Sequence, residues 1–433
     1  MAKNLESVLS DAVEFVIPRA ELLFGELDRR TKDGSGVTRP SYLNGEQVAH
    51  DIVAGFAGEL GLETIVDAAG NLYMTLPGAH RNAAGWLTGS HMDSVAQGGN
   101  YDGAAGVVAG LTAVAAFRRA GIKPHCDITV MAIRAEESNA WFTGRHDSYP
   151  GSRAALGLLN ESELETAIHV ATGKTLRTSM AEAGFDPEKT ILAPPYLTPQ
   201  RVAGYVELHI EQGPILETEG YAVGVVSAIA GNRRVKSAQV NGEYTHSGGV
   251  PQNLRRDAVL AVAEFLNRFE EGGLSLLAEG RHLVFSCGKL YTDSKVHGLT
   301  KVPGQVDFTL DIKSLDVDVL DKMQDLAERL SAEIGKRRGV AIEFNNFSRT
   351  EPVHMDERHR EWLHEGCRRL GIPTMDIPSG AGHDAQVFHR AGIPSSMIFV
   401  RNSHGSHNPA EAMTMADFAL GTRALAWMLA TVK

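Results

Sequence analysis

Four apolar runs of strand length constrain this chain most: "GWLTG" (85–89), "DITVMAI" (127–133), "GYVELHI" (204–210) and "SSMIFV" (395–400). Runs that are apolar throughout, rather than at every second position, mark strands covered on both faces, as in parallel sheets. Helical patterns lie among them, "QVAHDIVAGFAGELG" before the first and "DGAAGVVAGLTAVAAFRRAG" between the first and second. This alternation predicts an α/β domain with a mostly parallel sheet and helices on both faces.

The segment before the last run has a different texture. "RRVKSAQVNGEY" alternates like a half-exposed strand, "NLRRDAVLAVAEFLNRFEE" is an amphipathic helix, and "RHLVFSCGKLY" and "GQVDFTLDIKS" are strands. A second helix, "VDVLDKMQDLAERLSAEIGKRRG", and a final strand, "VAIEFNNF", complete the order βαββαβ. That order predicts a small α+β domain with an antiparallel sheet, inserted at 214–349 into a catalytic domain made of 1–213 and 350–433. Two domains also suit a length of 433 residues.

The formal net charge of −11 argues against a general nucleic-acid or anionic-membrane binder, because such binding needs basic faces. Small-molecule chemistry is expected instead. No stretch approaches the ~20 apolar residues of a membrane span, and "MAKNLESVLSDAVEF" is too acidic for a secretory leader, so the expected location is the cytoplasm. Cys126, Cys287 and Cys367 are scattered and odd in number, which argues against a disulfide framework or a thiolate zinc site. A metal in this chain would need His and carboxylate ligands.

In open α/β sheets, ligands sit beyond the carboxyl ends of the strands. His91 and Asp93 follow the first run, Glu136 and Glu137 the second, His209 ends the third, and His407 lies past the fourth in "GSHNPAE"; Asp102 opens the Ala/Val/Gly-rich helix. Each has a bland reading: Asp102 as a helix cap, the Glu pair as solvated charge, any one of the 17 histidines as a surface residue. Their gathering at one sheet edge points to a pair of divalent metals. Three histidines and two carboxylates can hold two ions about 3.5 to 4 Å apart if one carboxylate bridges them, and Asp102 is placed to do so. Asp93 then orients His91 through its other ring nitrogen. If Glu137 is a ligand, Glu136 is left as general base and later acid to the leaving nitrogen, which requires an irregular backbone at this pair.

"GVTRPSY", "GSHMDSVAQGGNYDG", "EES", "HIEQGPILE", "SGAGHDAQVF" and "SHNPAE" together resemble the M20-type metallohydrolases. Within them they are similar to the hydantoinase/carbamoylase group: N-carbamoyl-L-amino-acid hydrolases, β-ureidopropionases and allantoate amidohydrolases. The resemblance runs from about residue 30 to the end of the chain. It implies one metal on His91 and His209, the other on Glu137 and His407, Asp102 bridging and Glu136 as base. It further implies that the inserted domain is a lid and homodimerisation module, that His246 stabilises the oxyanion, and that Gln212 and Gly382 contact substrate.

The chain departs from that pattern in three places. Thr300 stands where the family has asparagine, Lys313 where it has the arginine that grips a substrate carboxylate, and "EESNAWFTGRHDSYPGSRA" is longer than expected, bringing Trp141, Phe142 and Tyr149 near the base in sequence. An ammonium lacks the planar fork of a guanidinium, so the carboxylate grip should weaken at Lys313. The aromatics of the 138–150 loop then either pack internally or remodel the pocket toward bulkier, aromatic substrates.

The expected function is a dimetal amidohydrolase cleaving a linear C–N bond of an N-carbamoyl or N-acyl amino compound, carrying two divalent ions of Zn, Mn, Co or Ni. The alternatives are an M20-type aminoacylase or dipeptidase and, more remotely, a binding protein that kept the fold. Glu136 discriminates against the last, because a retired enzyme has no reason to keep a carboxylate that ligates nothing.

Overall fold

A computed structural model describes residues 4–144 and 148–432, in two compact units. The first comprises Met1–Ser227, Met355–Ile377 and His383–Lys433; the second comprises Ala228–His354 with Pro378–Gly382. The insertion thus begins at Ala228 rather than 214 and ends at His354 rather than 349. The physical reason lies in the Val223–Ile229 strand, whose residues Val223, Gly224 and Val225 pair with Val400, Phe399 and Ile398 and so belong to the first sheet. Pro378–Gly382 joins the second unit because Ala230 N–H donates to Ser379 O and Lys313 Nζ to Gly380 O, both at 2.9 Å.

The first unit is built on strands β1 (Glu63–Val66), β2 (Leu72–Leu76), β3 (Gly85–His91), β4 (Ile128–Ile133), β5 (Val202–Ile210), β6 (Val223–Ile229) and β7 (Ser395–Val400). Their order across the sheet is β6-β7-β5-β3-β4-β2-β1. The four central strands, β7, β5, β3 and β4, are parallel, whereas the outer strands run antiparallel to their neighbours. These four are the apolar runs of the sequence, and β7 is buried at every residue. Register aligns their carboxyl ends, with His91 opposite Ile133 and Ile210 opposite Val400.

The Ala104–Ala120 helix is buried from Ala104 through Phe117 and packs between β3 and the helices Leu5–Thr31 and Met415–Thr431. Its small residues permit that closeness: a side chain at Gly106 would run into Leu208 O and Ser90 Cβ. It ends at Gly121, whose φ of +66° places it in the left-handed region that closes helices, with Arg118 and Arg119 in the last turn.

The second unit shows strand, helix, strand, strand, helix, strand. Its sheet is antiparallel in the order Val284–Ser286, Gln305–Ser314, Gly231–Asn241, Ala341–Phe344. Gln305–Ser314 alternates strictly, burying Val306, Phe308, Leu310 and Ile312 against the helices Ala258–Ala278 and Val317–Arg338. Asp257 and Asp316 cap those helices, accepting from Leu260 N and Asp318 N at 3.0 Å. Among the described residues, no helix is long and apolar enough to cross a membrane.

Candidate metal centre

The aligned strand ends put the polar residues of the first unit together. His91 is the last residue of β3, His209 the next to last of β5, and both rings are buried. Nδ1 of His91 donates to Asp93 O at 3.0 Å and Nδ1 of His209 to Ile210 O at 2.8 Å, so in each neutral ring the lone pair sits on Nε2. Those Nε2 atoms face Asp102 Oδ1 at 3.5 and 3.2 Å. His407 Nε2 lies 3.3 Å from Asp102 Oδ2 and 2.8 Å from Glu137 Oε1.

Asp102 is not the helix cap of its bland reading. The cap position belongs to Gly103, at φ +68°, where a side chain would strike the His91 ring. Gln212, expected at the substrate, donates from Nε2 to Asp102 Oδ2 at 2.8 Å, and Ser406 Oγ donates to the same oxygen at 2.6 Å.

The expected break in the backbone falls one residue early, at Ala135, which has φ +56°. This turn throws Glu136 and Glu137 to different neighbours. Glu137 approaches His407, while Glu136 Oε2 lies 3.9 Å from His91 Nε2 and, among the described residues, belongs to no candidate ligand set. Asp93 holds the turn with its carboxylate, accepting Glu136 N–H on Oδ1 and Glu137 N–H on Oδ2, both at 3.1 Å. It therefore positions the Glu pair with its side chain and His91 chiefly with its main-chain carbonyl; its Oδ1 is 3.3 Å from His91 Nδ1.

The local field is strongly negative. Burial works against a charged His91, but Glu136, Asp102 and Asp93 outweigh it and hold its pKa well above the ordinary value. The side-chain contacts to Asp102 and Glu137 push His407 up to about 11. Burial raises the Asp102 carboxyl, yet the imidazoles of His209, His407 and His91 bring it well below the usual range. Glu136 moves the other way: burial pushes its carboxyl well up, reinforced by Glu137 and Asp384 against the opposing His91.

Asp102 Oδ1 is buried and has no hydrogen-bond donor in good geometry, although two imidazole nitrogens converge on it. A buried carboxylate oxygen in that position fits a cation with nitrogen and oxygen ligands. Ligand atoms of His91, Asp102 and His209 lie within 4.8 Å of one another, as do those of Asp102, Glu137 and His407.

A third buried set, Glu207, His209 and His383, was missed in the sequence. Glu207 left a trace there as a charged residue in an apolar strand, two positions before His209 and hence on the same face. It is held by Ser90 Oγ at 2.7 Å and Ala385 N–H at 3.0 Å. With Nδ1 of His209 donating to Ile210 O, its single lone pair cannot serve both this set and Asp102. Glu411, which accepts Tyr101 N–H at 2.8 Å and Asp102 N–H at 3.2 Å, was also missed, because "SHNPAE" directs attention to its histidine.

The aromatic loop divides. Trp141 and Phe142 are buried in a cluster with Tyr42, Ala135 and Leu164; Trp141 stacks on His169 and donates from Nε1 to Ser94 O at 2.8 Å. The pocket role considered for these two is corrected to internal packing, since rings enclosed in a core cannot stack on a ligand. Burial raises the Tyr149 phenol well above its ordinary pKa, and the charges of Glu136, Asp384 and Glu137 add to that rise. Arg145, His146 and Asp147 lie outside the described residues.

The remaining expected substrate residues, His246, Thr300, Lys313 and Gly382, all belong to the second unit. His246 is exposed on a strand pairing with Lys301–Val302, and its Nδ1 accepts Gly248 N–H at 3.0 Å, which puts the proton of the neutral ring on Nε2. Thr300 O accepts Ser247 N–H at 2.8 Å. Lys313 Nζ, bonded to Gly380 O, is 4.0 Å from Asp311 Oδ2.

The chain is similar to known proteins over most of its length. The chain is 37% identical over 403 residues to the N-carbamoyl-L-amino acid amidohydrolase of Geobacillus stearothermophilus, covering 91% of this chain and 94% of that one. It is 34% identical over 370 residues to the allantoate amidohydrolase of Escherichia coli strain K12, covering 85% and 86%. A solved amidase of the hydantoinase/carbamoylase family from Burkholderia multivorans superposes with a TM-score of 0.84 at 28% identity, covering 95% of this chain and 97% of that one. The pattern of peptidase family M20/M25/M40 matches residues 82–431, a span that runs from before His91 to beyond His407, and this chain belongs to that family of metal-dependent hydrolases.

Proposed function

We propose that the protein hydrolyses a linear C–N bond of an N-carbamoyl (ureido) or N-acyl amino compound. The carrying observation is the convergence of two donor sets on Asp102 with a third carboxylate, Glu136, beside them and outside both sets. In this reading His91 and His209 would hold one divalent ion and Glu137 and His407 the other, with Asp102 common to the two donor sets. When bound, such ions supply Lewis acidity toward water and the scissile carbonyl. Glu136 takes the proton of the attacking water and returns it to the leaving nitrogen; its raised carboxyl pKa, caused first by burial, suits a group that must both accept and deliver. Asp93 holds the Glu136 main chain in place for that transfer. The active species is a homodimer assembled through the second unit, and in it His246 of the partner subunit supplies its Nε2–H to the developing oxyanion.

The names of the two amidohydrolase relatives support the ureido choice. A panel of N-carbamoyl and N-acyl amino acids, assayed with metal-reconstituted protein for both ammonia and amine, tests it. Ammonia release from ureido compounds is expected; turnover of acylamino acids or dipeptides alone would move the assignment to an aminoacylase or dipeptidase. Mixing His246→Ala subunits with Glu136→Gln subunits should restore part of the activity, and an active monomer would remove the dimer from this reading.

A further inference from the structure

We infer that Glu46 is a positioning residue for Glu136, acting through the Ala135 turn; this rests on the reading of Glu136 as the proton carrier. Beyond the end of β4 the main chain makes a left-handed step at Ala135, and three successive N–H groups then fall on carboxylate oxygens. Ala135 N–H donates to Glu46 Oε1 at 2.8 Å, Glu136 N–H to Asp93 Oδ1 at 3.1 Å and Glu137 N–H to Asp93 Oδ2 at 3.1 Å. Asp93 is close to the metal-ligand set, but Glu46 reaches the turn from another direction. It lies in the first turn of the Asn44–Glu59 helix and is completely buried.

Two ordinary roles for Glu46 do not match what it touches. A first-turn glutamate that serves the helix dipole faces solvent or its own helix N-terminus. Glu46 does accept Tyr42 N–H at 2.6 Å at its own helix N-terminus, but the same oxygen also pairs with Arg134 Nη1 at 3.1 Å and the other takes Ala135 N–H, so the helix end does not account for what it touches. Stability alone does not call for the pair either, because a buried ion pair is often no better than apolar residues of the same volume. What the pair does provide is a fixed geometry. Arg134 is locked from Nε to Gly70 O at 3.0 Å and from Nη2 to Gln47 Oε1 at 2.6 Å, and Asn71 Oδ1 accepts Arg134 N–H at 3.1 Å. Arg134 is thereby tied to the Asn44–Glu59 helix and to the Gly70–Asn71 turn, Ala135 itself to Glu46, and the two residues after it to Asp93. A non-glycine residue at positive φ persists where its surroundings over-determine it, and such steps gather at functional sites. Asp93 fixes the two residues after this step, and Glu46 fixes the step itself.

The test uses the full-length, metal-loaded protein and a double-mutant comparison. Glu46→Gln puts an amide where two N–H donors and a guanidinium now meet a carboxylate. The expected result is unchanged metal content, KM close to that of the parent and kcat lowered about ten- to a hundredfold, the scale of a misplaced catalytic group. In a Glu136→Gln background the same change should cost less than about twofold, because its target is already gone. An equal fold-loss in both backgrounds would show that Glu46 supports only the fold, and an unchanged kcat in the parent would show that it supports nothing at the site; either overturns the inference. If Glu46→Gln does not fold, Glu46→Asp keeps the charge opposite Arg134 while shortening the reach to Ala135 N, and the same comparison applies. Near-normal turnover in Glu136→Gln alone would instead sink the proton-carrier reading, and this inference with it, whereas an inactive Glu136→Gln with an indifferent Glu46→Gln sinks only the inference.

Discussion

The two units bury polar residues on opposite terms. In the first, the central strands and the Ala104–Ala120 helix are covered on nearly all sides, so a polar side chain buried there needs a partner, and Asp93, Asp102, His91 and His209 find theirs in one another at the strand ends. In the second, Gln305–Ser314 alternates between core and surface, and a polar residue such as Lys313 sits on the outward face as a matter of course. A buried polar residue needs a partner, so in the first unit polarity at a strand end is itself a signal. In the second unit a functional histidine and a solvated one look alike.

The comparison breaks most severely at Asp102, the residue shared by both donor sets. Asp102→Ala should abolish activity and lower metal content at both positions, and chelation of the parent should do the same while lowering its melting temperature, since an ion that binds only the native state stabilises it. Metal analysis showing one ion or none in active protein would refute the dinuclear centre. Glu136→Gln is next: kcat should fall by about 10² to 10⁴ with metal content intact.

Trp141→Ala probes whether the aromatic loop belongs to the core or to the pocket. With the indole buried and bonded to Ser94 O, the substitution should cost about 3–5 kcal/mol of stability in chemical unfolding and leave the ranking of substrates unchanged. A changed ranking with unchanged stability would restore the pocket reading. Lys313 should show a smaller effect. If its ammonium has exchanged a substrate carboxylate for Gly380 O, then Lys313→Arg with Thr300→Asn should improve kcat/KM on small carboxylate-bearing ureido compounds by about one decade, the worth of one charge-assisted hydrogen bond. No gain would mean that Lys313 serves the Pro378–Gly382 segment alone. The smallest effect expected is chemical labelling. Cys287, half-buried, should react with a small alkylating agent before Cys126 or Cys367, because burial encloses both and pushes the Cys367 thiol up to about 12.

The sequence by itself determined the parallel centre of the first sheet, the antiparallel texture of the second and the residues His91, Asp93, Asp102, Glu136, Glu137, His209 and His407 as one set. Each of these follows from local pattern: apolar runs that end in polar side chains, or strict alternation. What only the tertiary structure decided lies where two distant segments share a residue. The unit boundary at Ala228 depends on pairing between β6 and β7, which lie far apart in the chain. The division of the aromatic loop depends on Trp141 meeting His169 and Ser94. Glu207, Glu411 and Glu46 carried little or no signal, because a glutamate in a strand, a loop or a first helical turn is locally unremarkable; each became a buried anchor when the fold brought to it the main-chain donors Ala385 N–H, Asp102 N–H and Ala135 N–H. Local pattern settles which faces are apolar, but a hydrogen bond between residues dozens to hundreds of positions apart exists only once the chain has closed around it.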